Sequence, residues 1–329
     1  MAASIESAGA LEKEIRIARN ELKNIRQQVE TLKKVYRKDV DKITESLAGV
    51  ADSRNDHSSY STQSQPRQQV SFSTTHSHLG TPIGYIKSCF KSKNGTPRQP
   101  TICSRSKAKL QILQSAFNNP AHALEGLQQF SHLWIIFIFH RNGPSNYTKA
   151  KVKPPRLDGA RVGLFASRSP HRPNPIGLTL VHIDSIQGDT IHMSGIDMIE
   201  GTPVLDIKPY IPTYDNKPST KVADWIGEPP RKTLNVRFTL NAEQDLQRFR
   251  PAGNITGAEK NDFVFDFFED ALEAKKAIRD ILESDPRSTY RRYQCKDSLY
   301  YFTIDTMHIT CWFDDNVVEV VKIKPAQRR

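Results

Sequence analysis

Residues 161–180 read RVGLFASRSPHRPNPIGLTL. Within it Pro170, Pro173 and Pro175 fix φ and remove three backbone donors, so the segment fits neither a helix interior nor a sheet ladder. Alternating apolar residues flank the prolines, and residues 162–166 and 178–186 read as strands. The loop is a stiff connection between them, carrying Arg168, His171, Arg172 and Asn174. Two guanidiniums, an imidazole and an amide held this way make a pre-organised site for an anion or a polar ligand.

Outward from the loop, short strands recur. Residues 83–89, 107–113, 131–140, 190–196 and 204–208 have strand patterning, and SHLWIIFIFH is apolar enough for a buried strand. A short helix is expected over 121–127, after Asn119-Pro120. Many short strands with little helix suggest a small β-barrel. Residues 216–232 are polar and Pro-rich. Beyond them, 235–240 reads as a strand with Asn241 as the next N-cap, and 266–282 as an amphipathic helix ending near Asp285-Pro286. Strands follow over 299–304, 309–313 and 317–323.

The first fifty residues carry a heptad seam. Leu11, Ala18, Ile25 and Leu32 form one series, and Ile15, Leu22, Val29, Tyr36, Ile43 and Val50 the other. This predicts a coiled-coil helix for self-association or partner binding, or else one amphipathic helix lying on the body of the protein. Residues 51–79 are rich in Ser, Thr, Gln and His, too polar to offset ordering entropy, and read as a disordered linker. The expected division is therefore a coiled-coil helix (1–50), a linker (51–79), the β-barrel domain (80–215), a second linker (216–234) and a C-terminal α+β domain (235–329).

The 329 residues carry a net charge of +11. Between Gly80 and Pro175 fifteen Lys and Arg face two acids, Glu125 and Asp158, so this stretch holds all of the excess. Such a one-sided patch suits a polyanion such as RNA or DNA, or a solubilising surface. Cys89, Cys103, Cys295 and Cys311 lack C-x-x-C spacing, which points to reduced thiols and no metal site. The longest apolar run is too short to span a membrane, and no signal or transit segment is legible. The expected location is cytoplasmic, with nuclear residence the other option.

Polar groups cluster near expected strand ends: GTPRQP (95–100), His140-Arg141, the proline loop, and Asp197, Glu200, Thr202, Asp206 and Lys208 in GIDMIEGTPVLDIKPY. DPRSTYRR (285–292) follows the C-terminal helix. Each group singly also has a structural use, in turns, caps or stiff loops. Glycine-rich nucleotide loops, H-E-x-x-H and the nucleophile elbow are absent. The residues alone thus reach a basic β-domain with a compact polar site, but no reaction.

Taken together, GTPRQP, LWIIFIFHRN, PPRLDGARVGLFASRSPHRPNPIGLTL, GIDMIEGTPVLDIKPYIP and DPRSTYRR closely resemble the TrmO (TsaA-like) family. The resemblance covers residues 81–214 strongly and 235–324 more loosely. It implies a mainly β fold: a small antiparallel β-barrel with a C-terminal α+β appendix, beside the N-terminal coiled-coil helix. It further implies an S-adenosylmethionine-dependent tRNA methyltransferase acting on N6-threonylcarbamoyladenosine, and a homodimer with the cofactor near the subunit boundary. The runner-up is a non-catalytic RNA-binding adaptor, or a coiled-coil scaffold with a relict barrel. By motif, the implied cofactor contacts are Pro97, Arg98, Gln99, His140, Arg141, Arg168, Leu178, Ser194, Gly195, Ile196 and Asp197. His140, Asp197 and Asp206 are the candidate bases, with water as another acceptor. Arg172, Arg287 and Tyr290 are candidate RNA contacts, although DPRSTYRR departs from the family's DPRPAY.

Overall fold

The computed structural model describes residues 79–142, 148–157, 159–227, 233–251, 263–294 and 299–326. The heptad segment, all but Leu79 of the first linker, and Cys295 lie outside them.

Six strands close into an antiparallel barrel: β1 (Gly84–Ser88), β2 (Lys107–Ile112), β3 (His132–Ile138), β6 (Ile176–Gln187), β7 (Thr190–Ser194) and β8 (Pro203–Pro209). The order is β1-β2-β7-β6-β3-β8, and β8 returns to β1 through Gly84 opposite Val204, which leaves no open edge. Side-chain alternation explains the filling. Leu133, Ile135 and Phe137 of β3 point inward and are buried, as are Val181 and Ile183 of β6 and Ile191 and Met193 of β7. Each such side chain contributes about 1.5–3 kcal/mol by leaving water. Gly177 sits opposite Phe137, and a Cβ there would lie 2.2 Å from the ring, so only glycine lets the ring cross the strand.

Between β3 and β6 the strand expected over 162–166 shrinks to two residues. β4 (Lys151–Val152) pairs with β5 (Val162–Gly163), and Leu164–Ala166 turn into a 3-10 helix. The short helix expected over 121–127 is two 3-10 turns, His122–Leu124 and Leu127–Gln129, separated by Gly126 at φ +84°. The stretch read as a second linker holds a helical turn, Asp224–Gly227.

The C-terminal region adds β9 (Asn235–Phe238), the two-residue pair β10 (Arg250–Pro251) and β11 (Val264–Phe265), and β12 (Tyr300–Ile304), β13 (Met307–Asp314) and β14 (Val317–Pro325). A four-stranded sheet runs β12-β13-β14-β9, with β9 parallel to β14. Helices Leu240–Gln247 and Ala271–Glu283 join the core formed by one sheet face. The N-cap of the first is Thr239, not Asn241: its hydroxyl accepts from Ala242 N at 3.1 Å. The second begins at Ala271 rather than 266. The backbone N–H groups of Asp266, Phe267 and Phe268 donate to the buried Asp305 carboxylate, which holds that stretch out of the helix until Asp270 caps it. DPRSTYRR leaves that helix through a turn, with Asp285 at φ +48°, and then re-enters a helix over Thr289–Gln294.

Barrel and appendix share one hydrophobic core. Cys89 and Phe90 follow β1 into it, and Asp305 N donates to Cys89 O at 2.6 Å. Gly95, at φ +81°, presses on Phe302, where a Cβ would sit 2.3 Å from the ring. Cys89, Cys103 and Cys311 are free and buried, and burial raises each thiol's pKa. Among the described residues no metal-binding cluster occurs, and no helix is long and apolar enough to cross a membrane.

Candidate active site

Because every barrel neighbour is antiparallel, one mouth collects the C-terminal ends of β1, β3 and β7 and the N-terminal ends of β2, β6 and β8. That is where the separate sequence segments meet. The 91–106 loop brings Pro97, Arg98 and Gln99. The tail of β3 brings His140 and Arg141, the proline loop brings Arg168 and Arg172, and the tail of β7 brings Ser194 to Asp197.

Cross-links hold the mouth together. Phe139 N donates to Pro175 O at 2.8 Å and Asn142 Nδ2 to Pro170 O at 2.7 Å, which tie the β3 tail to the proline loop. Lys93 Nζ donates to Arg141 O at 2.6 Å, and Arg141 Nη1 to Lys91 O at 3.2 Å. Glu200 accepts from Ser88 N at 2.7 Å and pairs with Lys91 at 3.4 Å. His140 stands among these cations. Burial, then Arg141, pushes its pKa down to about 4, so the imidazole is neutral at pH 7.

Asp197 is different. Its carboxyl is buried, and desolvation lifts its pKa to about 6; Thr179, its own backbone N–H and Arg168 offset part of that rise. Thr179 lies close to the carboxyl, yet neither Thr179 Oγ1 nor Asp197 Oδ1 completes a hydrogen bond. Two buried polar atoms without partners cost free energy that a ligand's donors recover. Arg168 is exposed on the stiff loop. The cofactor that the resemblance implies has an ammonium, ribose hydroxyls, a carboxylate and a cationic sulfonium. Asp197 and Thr179 can accept from the donors and Arg168 can pair with the carboxylate, so these residues fit that group.

The other anticipated residues fall in distinct places. Leu178 is 49% exposed and faces outward, in one row with Ile136 and Asp206 across β6, β3 and β8. Asp206 is engaged: Lys208 Nζ lies 2.7 Å away and Ile207 N donates to it at 2.9 Å. Ser194 Oγ donates to Asp184 at 2.7 Å. Ile196 is in the core, its N–H and carbonyl both bonded to Ser106 Oγ, and Gly195 N donates to Ser106 O. Pro97 is buried, and Gln99 Nε2 donates to Arg98 O. Arg172 braces its own loop, donating to Ser167 O at 2.8 Å with its guanidinium 5.2 Å from the Phe165 ring centre.

DPRSTYRR docks beside the same mouth. Arg98 Nη2 donates to Arg287 O at 2.8 Å, and burial, then Arg292, lowers the Arg98 pKa. Arg287 is gripped bidentately by Asp285 at 2.9 and 3.0 Å and stacks 3.8 Å from the Phe313 ring centre, with 12% of its side chain exposed. Tyr290, by contrast, is 70% exposed. Sequence reasoning missed Thr179, Lys91, Lys93, Tyr300 and Phe313. Only Thr179 left a signal, as a polar residue on the inward parity of β6.

A family model described as the tRNA-methyltransferase O N-terminal domain matches residues 85–216. A tRNA (adenine(37)-N6)-methyltransferase from Rattus norvegicus is 36% identical, the match covering 75% of this chain and 89% of the relative. The protein of that description from Escherichia coli is 34% identical, over 74% of this chain and 96% of its own length. A crystal structure of TrmO from Pseudomonas aeruginosa superposes with a TM-score of 0.55 at 28% identity, covering 74% of this chain and 96% of that one.

Proposed function

The chain belongs to the tRNA-methyltransferase O family and is an S-adenosylmethionine-dependent tRNA methyltransferase, and we propose that its acceptor is the exocyclic nitrogen of N6-threonylcarbamoyladenosine beside the anticodon. The observation that carries the site assignment is the unpaired, buried pair of Asp197 and Thr179 in the field of Arg168.

When bound, the cofactor supplies an electrophilic methyl on a sulfonium. Asp197 and Thr179 would hold it by accepting from its ammonium or ribose hydroxyls, and Arg168 by pairing with its carboxylate. Leu178 offers an apolar face to the adenine, while Pro97, Arg98, Gln99, Arg141, Ser194, Gly195 and Ile196 shape the surrounding wall. The methyl would pass from the sulfonium to the acceptor nitrogen with the neutral thioether as leaving group, and the residues of the mouth would act mainly by positioning the two. That nitrogen is amide-like, and its proton becomes strongly acidic as the new bond forms, so a weak base suffices. Of the three candidates we assign His140. It stays neutral, Asp206 is held by Lys208, and Asp197 faces the cofactor. Tyr290 stacks on an unpaired base.

The exposed Ile176 and Leu178 continue onto Ile136 and Trp134 of the outer wall, an apolar strip that suits a homodimer boundary beside the cofactor. The heptads of residues 1–50 serve self-association or a coiled-coil partner, with residues 51–79 as their tether to the barrel domain of 80–215 and the appendix of 235–329. The enzyme works in the cytoplasm.

The test incubates the protein with labelled cofactor and tRNA with or without the threonylcarbamoyl group, then weighs the nucleosides. Label on threonylcarbamoyladenosine alone is expected. Label on plain adenosine would move the acceptor, and no label despite saturable cofactor binding would favour the adaptor reading.

A further inference from the structure

The C-terminal sheet buries one face and leaves the other in water. Directly paired residues share a face, and the pairs are Tyr301 with Thr310, His308 with Lys324, Thr310 with Lys322, Trp312 with Glu319, and Glu319 with Arg237. A bulge after Thr310 keeps the lysines on the same side as Glu319. Two large aromatics therefore stand exposed on the adjacent strands β12 and β13: Tyr301 at 45% and Trp312 at 47%. Their positions are diagonal neighbours, roughly 7–8 Å apart. His308 stacks on Tyr301, with ring centres 5.9 Å apart and planes at 11°, which holds the tyrosine ring in place.

The flanking charge is basic. Lys322, Lys324 and Arg237 are exposed, and none makes a side-chain ion pair with a described residue. Glu319 stands between Trp312 and Arg237, and Asp314 lies at the end of the face away from the two lysines. The same two strands reach the candidate active site with their other faces. Tyr300 Oη accepts from Gly95 N at 3.1 Å, and Phe313 underlies Arg287.

We propose that this open sheet face is a second RNA contact, on which Tyr301 and Trp312 stack unpaired nucleotides of the substrate while Lys322, Lys324 and Arg237 hold their phosphates. The proposal rests on the tRNA methyltransferase reading. Aromatic rings on a solvated sheet flanked by cations bind single strands, because every base has a stackable face and every phosphate a charge. A duplex offers no splayed base to stack, so the face discriminates a loop from a helix.

The test uses the full chain and three probes: a labelled anticodon stem-loop, a duplex of the same composition, and S-adenosylmethionine. The double variant Tyr301→Ala/Trp312→Ala removes only surface rings. It should weaken stem-loop binding about fivefold or more per ring, leaving duplex and cofactor affinity unchanged. Tyr301→Phe/Trp312→Phe should restore the stem-loop affinity. Lys322→Gln/Lys324→Gln should flatten the salt dependence of binding, and this decides the matter if the aromatic variant does not fold. Unchanged stem-loop affinity in the folded variants overturns the proposal. So does a loss of self-association without loss of RNA binding, which would assign the face to a second copy. Wild-type protein that binds cofactor but no RNA would contradict the tRNA reading itself.

Discussion

The barrel mouth and the C-terminal appendix each hold a buried carboxylate and a key arginine, and they satisfy them in opposite ways. In the appendix, Asp305 accepts from three backbone N–H groups, and Arg287 is clamped by Asp285 and stacked on Phe313. At the mouth, Asp197 has an unpaired oxygen and Arg168 projects from a proline-stiffened loop. A satisfied buried charge fixes a fold, whereas an unsatisfied one marks where a ligand completes the structure. Arg287 therefore serves architecture first, and Tyr290 is the exposed member of its motif.

The largest effect should follow from breaking the satisfied side. Asp305→Ala strands three backbone donors and should cost at least about 3 kcal/mol, read as a lower urea midpoint. Cofactor affinity of the protein that remains folded should hold. Arg287→Ala should likewise lower the thermal midpoint, while Tyr290→Ala should leave it alone and weaken tRNA binding. If the two variants behaved alike, the contrast drawn within DPRSTYRR would fail.

On the unsatisfied side the expected pattern is reversed. Arg168→Ala loses a charge-assisted contact of about 1.5–3 kcal/mol, so cofactor affinity should drop tenfold or more. Stability should stay within about 0.5 kcal/mol. Wild-type affinity in this variant would remove Arg168 from the site. The smallest effect is expected from deleting residues 1–79, which should leave the core chemistry measurable. A folded truncated protein without activity would make the N-terminal segment part of the enzyme.

The sequence made the barrel legible where local signals suffice. The alternation of β6, the apolar run of β3 and the three prolines each declare their structure within a few residues. Cap and boundary details were lost where distant atoms intervene. Asp305, some forty residues downstream, decides where the Ala271–Glu283 helix begins. The site shows the same divide. Arg168 and Asp197 are visible as residue types, but the approach of Thr179 and Arg168 to Asp197 depends on strand order and on which way β6 faces. The parity of β6 turns Leu178 outward and Asp285 lies two residues from Arg287, but nothing local reveals that Leu178 stands beside Ile136 or that Arg287 stacks on Phe313.

The most direct test of the central claim is a calorimetric titration of S-adenosylmethionine into the wild-type protein and Asp197→Asn between pH 5 and 8. The folded carboxyl, with a pKa near 6, binds its proton more tightly than the unfolded one. In the free protein its contribution to stability is thus fully present below about pH 4 and lost as pH rises through about 6. Ligand binding runs the other way, because the ligand's donors need the carboxylate. Wild-type affinity should fall as pH drops through about 6, by up to about tenfold per unit, while Asp197→Asn binds weakly with no such step. Equal affinities and parallel pH profiles in the two proteins would contradict the account.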